Sequence, residues 1–179
     1  MRRNRIIIGI LIILIAGGIW FFVERFQGSG NKEELSTQER PADAVFLLSF
    51  TDTDGNAVPM SEFKGKNLIL NAWATWCPYC TEELPGFRDV AGEYGNAITI
   101  IAVNRGESRE IAHSYIARKN LSGSVLYVTD PDDTLYKAIG GFSMPETIFI
   151  DTNGIIRFHK RGPMTQEELR RHTQDIFGI

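Results

Sequence analysis

Continuous apolar runs alternate with helix-like stretches along most of the chain. The segments NLILNAW (67–73), AITIIAVN (97–104) and SVLYVTD (124–130) have the length of strands and little polar alternation. Such runs are typical of strands buried on both faces of a sheet. The stretches between and after them have the composition of helices. The predicted helices cover residues 78–95, 107–120, 131–141 and 165–177.

Two pairs of short apolar segments are separated by dipeptides that favour tight turns. Asp54-Gly55 lies within the first pair and Asn153-Gly154 within the second. The paired segments are 45–50 with 58–63, and 146–151 with 155–161. Strands that alternate with helices, followed by a hairpin and a helix, predict an α/β sandwich.

Local patterns add detail to two of the predicted helices. In the 107–120 helix, Ile111, Tyr115 and Ile116 are predicted to share one face. In the 131–141 helix, Asp130 is the predicted N-cap and Pro131 suits the first turn, where its missing N–H has no partner to lose.

The first 40 residues have a different pattern. Arg2, Arg3 and Arg5 precede eighteen uncharged, mostly apolar residues, 6–23, which as a helix would reach about 27 Å, close to the thickness of a bilayer core. A cleaved signal peptide is the alternative, but the run is long and ends in the bulky IWFFVER. We therefore predict a cytoplasmic N-terminus (1–5) and a transmembrane signal anchor (6–23). A flexible linker (24–40) and an extracytoplasmic domain (41–179) are predicted to follow.

The charge balance argues against nucleic acid as a partner. Three of the 19 basic residues precede the apolar run, so 16 remain beyond it against 22 acidic residues. Binding to phosphates requires a basic face, which this excess of acidic residues does not favour.

The chain has only two cysteines, Cys77 and Cys80, at the junction between a predicted buried strand and a predicted helix. With Pro78 in the first turn, Cys77 caps the helix, where free backbone N–H groups and the helix dipole stabilise a thiolate. Cys80 lies on the same helix face within bonding distance. This arrangement predicts a reversible disulfide with an exposed attacking cysteine and a shielded partner. A structural disulfide in a non-catalytic interaction domain remains the alternative.

The segments NAWATWCPYCTEELP, IIAVNRGESRE and GGFSMPETIFIDTNGII resemble the TlpA/ResA/CcmG branch of the thioredoxin superfamily, whose members are membrane-anchored bacterial thiol-disulfide oxidoreductases. The resemblance covers about residues 44–177. It implies a thioredoxin-like fold, with a central mixed β-sheet flanked by helices. It also implies an N-terminal β-hairpin and an inserted helix-strand unit before the last hairpin.

The resemblance also implies roles for individual residues. Cys77 would be the nucleophile, Cys80 the resolving thiol, and Glu83 a catalytic residue that assists proton transfer. The residues expected to contact substrate are Trp76, Pro78, Met144, Pro145 and Glu146, with Pro145 in the cis form. A first-turn acid favoured by the helix dipole is the simpler interpretation of Glu83.

Glu146 departs from the family pattern, because many relatives carry a small hydroxyl residue after the proline. A carboxylate close to the disulfide would raise the pKa of Cys77 and select basic or hydroxyl-bearing partners. We therefore expect Glu146 to influence both the thiol and the choice of client.

The function implied by the resemblance is reduction of disulfides in exported client proteins, such as apocytochrome c, without a bound cofactor or metal. The protein would act as a monomer anchored in the bilayer and would receive electrons from a membrane donor of the CcdA/DsbD type. Within the same chemistry, the alternative is an oxidant that installs disulfides.

Overall fold

A computed structural model describes residues 39–179 of the chain. The predicted cytoplasmic segment, the predicted anchor at 6–23 and most of the predicted linker lie outside these residues. Within residues 39–179, no helix is long and apolar enough to cross a membrane.

The centre of the domain is an eight-stranded mixed sheet. The strands are β1 (Arg40–Pro41), β2 (Ser49–Asp52), β3 (Ala57–Pro59), β4 (Leu68–Trp73), β5 (Thr99–Arg105), β6 (Leu126–Asp130), β7 (Glu146–Ile150) and β8 (Ile155–Arg161). Their order across the sheet is β1-β8-β7-β4-β5-β6-β2-β3. The neighbours β4, β5 and β6 run parallel, whereas β7 is antiparallel to both β4 and β8. The predicted buried strands and the C-terminal hairpin are therefore confirmed.

Helices cover both faces of this sheet. They are α1 (Asp43–Phe46), α2 (Pro78–Tyr94), α3 (Arg109–Arg118), α4 (Thr134–Ile139) and α5 (Gln166–Phe177), with short 3-10 helices at Met60–Phe63 and Gly95–Ala97. One buried apolar cluster joins the sheet to α2, α3 and α5, and a second joins it to α1 and α4. Strand β4 contributes Ile69 to the first cluster and Leu70 to the second. This two-sided burial explains its continuous apolar sequence.

The N-terminal hairpin is shorter than predicted. Val45 and Phe46 belong to helix α1, and the first strand of the hairpin begins only at Ser49. Both side chains are buried in the same apolar cluster, which a helical turn permits. In a strand, consecutive side chains would point to opposite faces. The second segment is also extended only to Pro59, after which the chain forms a 3-10 helix.

Two helix details differ from prediction. Asp133, not Asp130, is the N-cap position of α4, although Asp130 still supports this helix because its carboxylate accepts hydrogen bonds from Leu135 N at 2.8 Å and from the Thr134 hydroxyl. In α3, Ile111 is half exposed, and the fully buried positions are Ala112 and Ile116.

Helices α2 and α5 approach closely beside the end of β4. A Cβ atom at Gly86 in α2 would lie 3.1 Å from the Cβ of Gln166, the first residue of α5. This short separation brings the segment that leads into α5, including Met164, against the first turns of α2. The packing matters for function because α2 carries the two cysteines.

Candidate active site

The cysteine pair lies where β4 ends and α2 begins, as predicted. Cys77 is the N-cap residue of α2 in an extended conformation (φ −95°, ψ 106°), and Pro78 is the first helical residue. Cys77 and Cys80 form a disulfide, and Cys77 Sγ also accepts a hydrogen bond from Cys80 N at 3.2 Å. A helix N-terminus stabilises negative charge, so this position favours the thiolate form of Cys77 after reduction.

The two cysteines differ in accessibility. Cys77 retains 4% of its surface and Cys80 has none, so Cys77 is less exposed than the sequence suggested but is still the only one that a partner can reach. Trp76 and Tyr79 are each more than 60% exposed. The disulfide is therefore set among exposed aromatic side chains, next to the exposed ring of Pro78.

Glu83 lies one helical turn beyond Cys80. It is buried on the side of the sheet that packs against α2, α3 and α5, with 8% of its surface exposed. Its Oε1 accepts a hydrogen bond from Asn71 Nδ2 at 2.7 Å, and its Oε2 accepts one from Met164 N at 2.9 Å. Burial outweighs these bonds and raises the pKa of Glu83 to about 7. A solvated first-turn acid would not be enclosed in this way. At neutral pH the group can both accept and release a proton.

Asn71 connects the two strands beneath Glu83. Its side-chain amide donates to Glu83 and also to the Thr147 hydroxyl on β7, at 3.1 Å. The Asn71 oxygen has no partner among the described residues. Asn71 was not among the predicted site residues, although an amide in the middle of the buried strand LILNAW was a usable signal.

A cleft of about 410 Å³ opens beside Glu83. Tyr79, Glu82 and Met164 are among its lining residues, together with Pro163. The cleft gives the buried carboxyl group a route for proton exchange with solvent that does not pass through the disulfide.

Glu107 holds the turn that precedes Cys77. Its carboxylate accepts hydrogen bonds from Thr75 N at 2.8 Å and from the Thr75 hydroxyl at 2.5 Å. The Asn104 side chain donates to the same carboxylate at 2.7 Å. Glu107 lies in the motif IIAVNRGESRE, but the sequence alone does not indicate its role, because its partner Thr75 lies 32 residues away along the chain.

The loop before β7 contains the cis peptide bond expected between Met144 and Pro145. Met144 is partly buried and packs against the cluster that contains both cysteines. The Tyr136 hydroxyl donates to Ser143 O at 2.9 Å, and Gly162 N donates to Pro145 O at 2.8 Å. No hydrogen bond within residues 39–179 involves the backbone of Met144.

The prediction for Glu146 is wrong, because this side chain is fully buried and so cannot contact a client. Side chains alternate along β7, and Thr147 faces Asn71 and Glu83, so Glu146 points to the opposite face of the sheet. Burial opposes ionisation there, but hydrogen bonds from His159, Ser143 and Phe142 outweigh it and hold the pKa of Glu146 below its ordinary value.

Within the described part of the chain, no cluster of three or more histidine, cysteine or acidic side chains has the arrangement of a metal site. The groups of the site that can carry chemistry are its two sulfur atoms and the carboxyl group of Glu83.

Comparison with known proteins agrees with this geometry. Residues 37–176 match the model of the Redoxin family. The chain is 31% identical to the thiol-disulfide oxidoreductase ResA of Oceanobacillus iheyensis, over 98% of this chain and 91% of that protein. It is 28% identical to ResA of Bacillus cereus, over 98% of this chain and 99% of that protein.

Among solved structures, the MTB protein dsbF superposes with a TM-score of 0.68 at 26% identity, and the match covers 74% of this chain and 97% of that one. StoA from Bacillus subtilis superposes with a TM-score of 0.61 at 25% identity, over 70% of this chain and 95% of that one. The chain therefore belongs to the redoxin family and is a thioredoxin-like thiol-disulfide oxidoreductase similar to ResA.

Proposed function

We infer that this protein is a membrane-anchored reductant of disulfides in exported client proteins. The observation that carries the thiol-disulfide exchange is the buried Glu83, with a pKa of about 7, one turn behind the Cys77–Cys80 pair. The reducing direction follows from the family resemblance. The apolar run at 6–23, preceded by three arginines, supports an anchor that leaves the catalytic domain on the extracytoplasmic side.

The reaction begins with the dithiol form of the protein. The thiolate of Cys77 attacks one sulfur of the client disulfide, which forms a Cys77–client disulfide and releases the other client sulfur as a thiolate that takes up a proton. Cys77 is suited to this step because it is the only accessible cysteine and caps the helix N-terminus.

The second step needs a proton acceptor for Cys80. This thiol is fully buried, which raises the free energy of its thiolate. Glu83 accepts the proton, Cys80 attacks Cys77 Sγ, and the second client sulfur leaves as a thiolate. Two electrons pass from the protein to the client, and the Cys77–Cys80 disulfide forms.

The backbone of Met144 is suited to hold the client. Met144 packs against the apolar cluster that contains both cysteines, and none of the described residues uses its backbone N–H or C=O group. We expect an extended client segment to pair with these groups as a short added strand, while Trp76 and Tyr79 contact its side chains. Pro78 is exposed next to the disulfide, and the buried Pro145 follows Met144 through the cis peptide bond.

Clients and electron supply follow from the family resemblance. The haem-attachment cysteines of apocytochrome c are the proposed client, and a membrane dithiol carrier of the CcdA/DsbD type is the proposed donor that reduces the Cys77–Cys80 disulfide again. A single copy of the chain supplies Cys77, Cys80, Glu83 and Met144, so a monomer is sufficient.

Trapping the mixed disulfide tests the proposed order of attack. Reduced full-length Cys80→Ser protein, mixed with a peptide that contains a Cys-x-x-Cys disulfide, should form a stable adduct with the peptide through Cys77. The matched Cys77→Ser protein should form little adduct, because Cys80 is buried. Mass spectrometry of the adducts would overturn the proposal if Cys80 were the attachment point or if neither protein reacted.

An oxidant is the second candidate, and one contact favours it. The hydrogen bond from Cys80 N to Cys77 Sγ lies at the positive end of α2. It would stabilise the Cys77 thiolate of the reduced protein and so raise the reduction potential. Measurement of the reduction potential of the Cys77–Cys80 pair will distinguish a reductant from an oxidant.

A further inference from the structure

Glu146 is a buried carboxylate that accepts hydrogen bonds from the protein backbone and does not contact substrate. Its Oε1 accepts hydrogen bonds from Phe142 N and Ser143 N, both at 2.6 Å. Its Oε2 lies 2.6 Å from His159 Nε2 on β8, and Arg161 approaches Oε1 at 3.9 Å. Burial of a carboxylate raises the free energy of the folded protein unless the group is hydrogen-bonded, and these partners provide the hydrogen bonds.

His159 has neighbours on both ring nitrogens. Arg40 Nη2, which also donates to Ile139 O at 2.7 Å, lies 3.4 Å from His159 Nδ1. Arginine can only donate, so Nδ1 accepts and the ring hydrogen lies on Nε2, facing Glu146. A ring hydrogen on Nε2 satisfies both contacts and fixes the position of Oε2.

The contacts converge on the loop that carries Met144. Glu146 holds the N–H groups of residues 142 and 143, Tyr136 holds Ser143 O, and Gly162 holds Pro145 O. The segment is thus fixed on both sides of Met144, whose own backbone groups have no partner among the described residues. When a binding segment is already fixed, less conformational entropy is lost when a partner binds to it.

We propose that Glu146 is a positioning residue for client binding, held by His159, which sets the 142–145 loop so that the Met144 backbone can pair with the client. The inference rests on the proposed docking of a client at Met144. Glu146 and His159 lie on the opposite face of the sheet from the cysteines and take no part in a chemical step.

The test uses His159, because its hydrogen bond can be removed or kept by substitution. His159→Leu removes the donor to Glu146, whereas His159→Gln retains an N–H donor. His113→Leu is the matched control, since His113 is exposed on α3. Each full-length protein is assayed with a peptide disulfide and with 2-hydroxyethyl disulfide, which has no peptide backbone to pair with Met144.

For His159→Leu we expect KM for the peptide to rise about tenfold, the usual loss for a hydrogen bond to a charged group. The rate with 2-hydroxyethyl disulfide and the reduction potential should change much less. Amide hydrogen exchange at Phe142 and Ser143 should be faster. His159→Gln and His113→Leu should resemble the unmodified protein in all four measurements.

An equal loss with both disulfides, or an unchanged peptide KM, would overturn the inference. Glu146→Gln provides a second variant, because its NH₂ group would oppose the His159 N–H and should also raise the peptide KM. If the unmodified protein reduces neither disulfide, the proposed function fails. If it reduces both and the two His159 variants do not differ, only the positioning role fails.

Discussion

Glu83 and Glu146 are both buried carboxyl groups, but their surroundings produce opposite pKa shifts. Glu83 has two hydrogen-bond donors and no salt-bridge partner within residues 39–179, so burial raises its pKa to about 7. Glu146 has three strong donors and an arginine nearby, and its pKa is lowered. The first group can therefore carry a proton at neutral pH, whereas the second remains a fixed negative charge.

The sequence identified the chemistry-bearing residues better than their supports. Cys77, Cys80 and Glu83 follow from one short motif on one helix, so local spacing suffices to bring them together. Asn71 and Glu107 act through partners distant in the chain, which spacing cannot reveal. Because side chains alternate along β7, Glu146 lies on the opposite face of the sheet from Thr147. The sequence does not show which of these faces carries the cysteines until the partners of Thr147 are known.

Replacing Glu83 should slow the resolving step. In Glu83→Gln, Cys80 loses its proton acceptor, and the decay of the Cys77–client mixed disulfide should slow by about 10²-fold or more. Rapid-quench measurement of the mixed disulfide checks this. Glu82→Gln is the matched control on the same turn, exposed to solvent, and should decay at the normal rate. Equal rates for both variants would remove Glu83 from the mechanism.

Glu83 should also make stability depend on pH. Its folded pKa, about 7, lies above the ordinary value of 4.5, so the folded state binds the proton more tightly than the unfolded state. Its contribution is full below about pH 4.5 and is lost as the pH rises to about 7. The loss is at most about 3 kcal/mol. Urea unfolding across this range should show a larger fall for the unmodified protein than for Glu83→Gln; parallel curves would contradict the pKa shift.

Among the secondary-structure elements, α2 determines the geometry of the site because it carries both cysteines and Glu83. It begins at Cys77 and continues through Pro85 to Tyr94. Its boundaries were predicted to within one residue, since Pro78 and Gly95 mark its two ends. Segment 45–48 was predicted as strand because its apolar residues also fit a strand pattern, and only tertiary packing decides for a helical turn there.

The close contact between α2 and α5 can be tested with two glycines of the same helix. Alanine favours a helix over glycine by about 1 kcal/mol. At Gly92 an added Cβ has 3.9 Å of space, so Gly92→Ala should stabilise the protein by about this amount. At Gly86 the Cβ meets Gln166 at 3.1 Å, so Gly86→Ala should be less stable than Gly92→Ala by about 1 kcal/mol or more. Urea unfolding measures both, and equal stabilities would contradict the contact.

At the scale of the whole domain, the fold could be predicted from the sequence. The direction of electron flow, in contrast, is not determined by any single contact. The order of apolar runs and helices predicted the α/β sandwich, and the quoted motifs implied the thioredoxin-like arrangement. The helix N-terminus at Cys77 favours the reduced protein, whereas burial of Cys80 opposes a thiolate at that sulfur after reduction. The balance of these opposing effects appears in the reduction potential.

We predict that the Cys77–Cys80 pair is a reductant. The full-length protein in detergent should be equilibrated with defined thiol-disulfide buffers, and the fraction reduced should be followed by the fluorescence of Trp76 or by alkylation of Cys77. A reduction potential below about −240 mV, on the thioredoxin side of the range, is the predicted result. A potential above about −150 mV, close to that of the strong periplasmic oxidants, would contradict the proposed direction and identify a disulfide donor.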